Sequence, residues 1–139
     1  MEILTSYHAK IDQLIEMGLT PISISVQFPK YAKIKYHQYK VLAPTYAMLK
    51  MDKGQYNEEF QKILAKQNAV HIHSDLVRLS KEKDIVLLCY EKDRNECHRS
   101  IVGKWLESKL QIKVEEVEFQ NVVKKEKAKG ATNQMDLFK

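Results

Sequence analysis

The sequence predicts an α/β fold: a small, mostly parallel sheet with flanking helices, followed by a flexible C-terminal tail. Three observations carry this. Residues 85–88 read Ile-Val-Leu-Leu, an apolar run too short for a helix and branched enough for a buried strand. Beyond a polar loop, Ile101, Val102, Trp105 and Leu106 fall on one face of a helix. Residues 22–26 alternate Ile-Ser-Ile-Ser-Val with a period of two, which is a strand. Strands separated by helical stretches imply crossover connections, and so parallel neighbours.

In chain order, residues 1–17 read as a short helix with Ile3, Leu4, Tyr7, Ile11, Leu14 and Ile15 on one side, ended by Gly18 and Pro21. The strand at 22–26 closes at Pro29. Residues 31–37 read as a loop over that strand's C-terminal end, where Lys30, Lys33 and Lys35 interleave with Tyr31, Tyr36 and Tyr39. Pro44 suits the first turn of a helix over 45–51, and 51–54 is a turn. Tyr56, Phe60, Ile63 and Leu64 define a helix over 56–67. Residues 70–79 read as one more helix, with Ile72, Leu76, Val77 and Leu79 on its apolar face, or as two shorter pieces. Residues 112–119 alternate apolar side chains with Lys and Glu, as a half-exposed edge strand does. Three strands are clear. From about residue 121 the chain turns charged and small, which sets a domain at 1–120 and a tail at 121–139.

At 139 residues the chain is one domain with enough length for a substantial core. Its 44% apolar and 29% charged content is that of an ordinary globular protein. No apolar run approaches membrane-spanning length and no basic-then-apolar leader opens the chain, so a cytoplasmic protein is expected. Two cysteines eight residues apart are then expected as free thiols rather than a disulfide. The net charge of +5 permits an acidic partner such as nucleic acid. Five of the lysines, against two acids, lie in residues 124–139.

Chemistry is expected where the 85–88 strand gives way to the 101–106 helix, because unpaired N–H groups and the helix dipole converge there. Cys89 ends the strand, the 91–96 loop is wholly polar, and Cys97-His98-Arg99-Ser100 leads into the helix. Four readings stand. Arg99 and Ser100, with the N–H groups around them, hold a phosphate or other anion. Alternatively Cys89 or Cys97 is a nucleophile, with His98 as base and Glu91 orienting it. The Cys-x5-Arg spacing of cysteine phosphatases is absent. A zinc site of Cys89, Cys97, His98 and His71 or His73 has a C-x7-C-H spacing that matches no compact ligand pair, so no metal or cofactor is called for. Last, Cys89 packs under the sheet and Glu91 pairs with Arg99 to fix the loop. Separately, Lys30, Lys33 and Lys35 with their tyrosines are the nucleic-acid-binding candidates, lysine meeting phosphate and tyrosine stacking on a base.

Leu87-Leu88-Cys89-Tyr90-Glu91-Lys92, then Cys97-His98-Arg99 and a helix containing Trp105-Leu106, resembles the C-terminal signature of domain-of-unknown-function family 488. The strand ending at Pro29, the 39–44 segment Tyr-Lys-Val-Leu-Ala-Pro, and Tyr56 with Phe60 agree in order, over roughly residues 20–118. The resemblance implies an α/β fold and no established reaction. Many members carry an acidic residue and an arginine on the first strand, where this chain has Ser25 and Gln27.

The tail ends Gln134-Met135-Asp136-Leu137-Phe138 before a last lysine. That pentapeptide is similar to the short motif by which bacterial polymerases and repair proteins bind the sliding clamp. The resemblance implies polar contacts for Gln134, a hydrophobic pocket for Leu137 and Phe138, and a permissive middle including Asp136. A short segment anchored by an aliphatic and an aromatic residue on a long tether suits such docking. The leading expectation is therefore a protein of DNA metabolism, tethered to a bacterial-type clamp, with an anion-binding crevice in which catalysis is open. The alternatives are a small cytosolic enzyme on a free metabolite, and a non-catalytic clamp-binding adaptor or inhibitor.

Overall fold

The computed structural model describes residues 1–31, 35–91 and 98–119. Its centre is the strand read first in the sequence, β4 (Ile85–Cys89), buried at all five positions. Alternate side chains of β4 serve opposite layers. Ile85 and Leu87 join a core with Phe60, Leu64, Ile72, Leu76, Val102 and Leu106, whereas Val86 and Leu88 pack with Leu14 and Leu19. A strand covered on both faces has no polar side, which is why it reads as an unbroken apolar run.

Around it five strands, all parallel, lie in the order β3-β2-β4-β1-β5. Two were not legible. β1 (Ile3–Tyr7) occupies the segment expected as the start of a helix, pairing with β4 from Ile3↔Ile85 to Tyr7↔Cys89 and with β5 (Val114–Glu116) on its other side. The helical expectation for 1–17 is thus corrected: a 3-10 turn at His8–Lys10 and α1 (Ile11–Glu16) follow the strand. Ile3 and Tyr7 fit helical spacing as well as strand pairing, and burial between two neighbours decides for the strand. β3 (His37–Gln38) is a two-residue edge that starts at the last residue of the 31–37 stretch expected as loop. β2 (Thr20–Ser23) begins and ends earlier than the expected 22–26, although Ile24 still donates to the Leu88 carbonyl at 2.9 Å. β5 is an edge strand, as expected.

Gly18 adopts φ +85°, the left-handed conformation that ends α1. The expected 45–51 helix is a 3-10 helix at Tyr46–Lys50. α2 (Lys53–Ala65) starts at Asp52, whose carboxylate accepts from the Gln55 N–H. α3 (Ala69–Ser80) is one continuous helix capped by Asn68. α4 (Arg99–Leu110) links β4 to β5. No helix among the described residues is long and apolar enough to cross a membrane. The tail expected at 121–139 lies outside the described residues.

The wiring creates a gap. From β2 the chain leads outward to β3, whereas from β4 it leads through α4 across to β5. Neighbouring strands whose continuations part in this way leave a crevice beyond their carboxyl ends.

Candidate functional site

A cavity of about 570 Å³ occupies that crevice. Ser25 and Gln27 enter it from the end of β2, Cys89, Tyr90 and Glu91 from the end of β4. His98, Ser100 and Lys104 line it from α4, and Lys53, Tyr56 and Asn57 from α2. The site expected from the strand–loop–helix pattern is therefore a real concavity, with a helix start and two lysines among its walls.

Arg99 does not line it. Its side chain is fully buried and turns to the other side of α4, toward β1 and β5. Nε donates to Glu116 Oε1 and Nη2 to Oε2, both at 2.9 Å, and the Thr5 hydroxyl donates to Oε1 at 2.6 Å. Nη1 donates to the Glu91 main-chain carbonyl and lies 3.2 Å from Cys89 Sγ, while the guanidinium sits 5.8 Å from the Tyr7 ring centre. The expected Glu91–Arg99 ion pair is corrected: Glu91 meets Arg99 through its backbone, and the carboxylate partner is Glu116 on the edge strand. This two-point contact ties the ends of β4, β5 and α4 together.

Cys89 is almost fully buried and carries a disulfide, contrary to the free thiol expected for it. The chain's other cysteine, Cys97, lies outside the described residues, and so do Lys92, Asp93, Arg94, Asn95 and Glu96 of the expected polar loop. His98 is buried just before α4, and its Nε2–H donates to the Ile24 carbonyl at 2.5 Å. A carbonyl only accepts, so this nitrogen holds the proton of a neutral ring. Burial, with Arg99 beside it, lowers the His98 pKa to about 4 although the Ile24 bond opposes the shift.

A second polar cluster, missed in the sequence, lies behind the crevice wall. His8, the first residue past β1, is fully buried. Its Nε2 is 3.0 Å from Ser25 Oγ and its Nδ1 is 2.7 Å from the Tyr36 hydroxyl. Burial, then the charges of Arg99 and His98, lowers its pKa to about 4. Ser25 Oγ also lies 2.9 Å from Ser23 Oγ and 2.7 Å from the Gln27 carbonyl oxygen. The signal that could have found His8 is its position one residue beyond a parallel strand, visible once 3–7 is read as a strand.

Of the basic candidates, Lys30 and Lys35 are exposed and Lys33 lies outside the described residues. Lys35 Nζ stands 5.6 Å from the centre of the Phe28 ring, which packs 4.5 Å from Tyr36. Tyr31, Tyr46 and Tyr90 are exposed. Partial burial, then Tyr31 and Tyr46 nearby, raises the Tyr90 pKa. His71 is exposed on α3 and sits 3.7 Å from Asp75, away from the crevice. Gln134, Asp136, Leu137 and Phe138 lie outside the described residues.

Neither the curated proteins nor the solved structures include a match to this chain. A family does match, described as the active DUF488-N3 subclade (DUF488-N3a), over residues 19–110. The matched span begins just before β2 and ends with α4, so His8 and Glu116 reach the site from outside it. With about two thirds of its length matched, the chain belongs to the DUF488-N3a family.

Proposed function

We propose that the crevice beyond β2 and β4 binds a phosphate-bearing ligand, a nucleotide or a segment of DNA, and that the protein acts in DNA metabolism. The observation that carries this is the lining: Lys53 and Lys104 with the first turn of α4 on one side, and Tyr90 on the other. Cationic side chains and helix N–H groups suit phosphate, and the exposed Tyr90 in the cavity wall suits an unstacked base. The exposed lysines at 30 and 35 add positive charge that a nucleic-acid backbone can meet. Membership of a subclade described as active supports a catalytic rather than an inert crevice. In this reading Gln134, Asp136, Leu137 and Phe138 form a peptide that holds the domain at a bacterial-type sliding clamp.

The test is binding of the full-length chain to a bacterial sliding clamp, beside a chain ending at Lys129 and a Leu137→Ala/Phe138→Ala variant. Binding by the intact chain alone is expected. In the same preparation, single-stranded DNA should bind with an affinity that falls as salt rises. Equal clamp binding by all three chains, or none, removes the tether. DNA binding that ignores salt removes the phosphate reading, and a free nucleotide that binds where DNA does not makes the protein an enzyme of metabolites.

A further inference from the structure

Ser25 and His8 come from segments that share no motif, yet the sheet brings them together. β1 ends at Tyr7 and β2 at Ser23, flanking β4, so the residues just past each strand converge above Cys89. Ser25 lines the crevice, and His8 lies behind it, closed off from solvent. Nε2 reaches Ser25 Oγ at 3.0 Å, while Nδ1 is engaged by Tyr36 at 2.7 Å. A serine in a cavity wall, an imidazole against its hydroxyl and a third group on the far nitrogen is the arrangement that activates a serine. The Ser25 hydroxyl donates to the Gln27 carbonyl at 2.7 Å, and when Nδ1–H donates to the tyrosine oxygen the Nε2 lone pair is a second acceptor within reach of the same proton, at 3.0 Å.

We propose that Ser25 is a nucleophile and His8 its general base, acting on a phosphoester held in the crevice. The phosphoester class rests on the phosphate reading above; the nucleophile and its base rest on geometry alone. In the first step a bond forms between Ser25 Oγ and phosphorus, and the bond from phosphorus to the leaving alcohol breaks. The Oγ proton passes to His8 Nε2, and the leaving oxygen, in line on the far side of phosphorus, takes a proton from water in the open crevice. In the second step water attacks phosphorus from the cavity side and gives its proton to solvent, the phosphorus–Oγ bond breaks, and Oγ takes back the proton held on His8. Lys53 and Lys104, lining the same cavity, face the charge on the phosphoryl oxygens. His8 stays neutral at physiological pH because burial, then Arg99 and His98, disfavour its charged form. Tyr36 and Tyr90, the other titratable rings against it, are uncharged there.

The probe is a fluorophosphonate, whose phosphorus–fluorine bond breaks when a serine oxygen attacks. Full-length protein should acquire one adduct, mapped by mass spectrometry to Ser25, and Ser25→Ala should acquire none. His8→Gln should slow labelling at least about 100-fold. Since His8 is wholly buried and its replacement can cost the fold, Tyr36→Phe, at a half-buried site, gives the second reading, with a drop of about 10- to 100-fold. Labelling of the wild type should hold level from pH 8 to 5.5, whereas a base of ordinary histidine pKa would lose about tenfold over that range. No adduct at Ser25 in folded protein overturns the proposal, leaving Ser23, Ser25 and His8 as a satisfied polar cluster. An adduct whose rate ignores both Tyr36→Phe and a folded His8→Gln removes His8 as the base. Inorganic phosphate should slow labelling; labelling indifferent to it overturns the phosphoester class. The probe requires no DNA, so missing labelling beside intact DNA binding sinks the nucleophile and spares the phosphate site.

Discussion

The imidazole of His98 donates its Nε2 proton to the Ile24 carbonyl, and His8 is buried between Ser25 and Tyr36. Both rings are neutral in the folded protein, their pKa values lowered from 6.5 to about 4, chiefly by burial. An unfolded chain protonates each near pH 6.5, so between pH 6.5 and 4 it binds more protons than the folded one. Stability is therefore full above pH 6.5 and falls as the solution is acidified toward 4. At pH 5 the loss is on the order of 2 kcal/mol for His98. Urea unfolding at pH 7 and pH 5 measures the sum for the two rings, and His98→Asn should remove about half of the difference, His8 keeping the rest. A midpoint that rises on acidification in this window would contradict the burial of the two rings. The sequence made part of this visible. Cys89, His98 and Ser100 were found because a strand, a polar loop and a helix start follow one another within a dozen residues. His8 was not, since its significance depends on β1 lying beside β4, and that pairing joins residues far apart in the chain.

Among the elements, β4, α2, α3 and α4 were legible because each has the period of its own structure. β1 was not: Ile3, Thr5 and Tyr7 face one way and Leu4 and Ser6 the other, and both sets are covered, so no alternation survives to read. Next to the helical pattern of Ile11 and Leu14 it merges into one longer helix. The Glu116 contact was hidden for a different reason. Alternating charges on an edge strand look solvated, yet here one of them meets a fully buried arginine. A buried guanidinium that loses this two-point carboxylate contact loses charge compensation in a poorly solvated place. Glu116→Ala should therefore cost about 3–5 kcal/mol of stability by denaturant unfolding, with hydrogen exchange first rising along residues 114–117. A loss of about 1 kcal/mol or less, the range of exposed pairs, would show that solvent reaches Arg99.

At the scale of the molecule, the parallel sheet was legible and its strand order was not, because order depends on which crossovers skip a neighbour. Three connections do so here: β1 to β2 passes β4, β3 to β4 passes β2, and β4 to β5 passes β1. The span that matches the family, 19–110, omits β1 and β5. A chain trimmed to that span exposes one whole edge of β4, five buried apolar positions long, with no partner for its ladder. Such a fragment should lack a cooperative melt and aggregate, whereas residues 1–119 should unfold in one transition. Circular dichroism and light scattering on the two chains decide it. A monomeric, cooperatively folded 19–110 fragment would mean that β1 is dispensable to the sheet.

The central pairing of β1 with β4 also sets a schedule for synthesis. The first strand to leave the ribosome needs a neighbour encoded about 80 residues later, and at 5–20 residues per second it waits roughly 4–16 s for it. During that interval Ile3, Leu4 and Tyr7 have no sheet to join, and His8 has no Ser25 to face until β2 follows. The centre of the sheet closes only when most of the chain has been made.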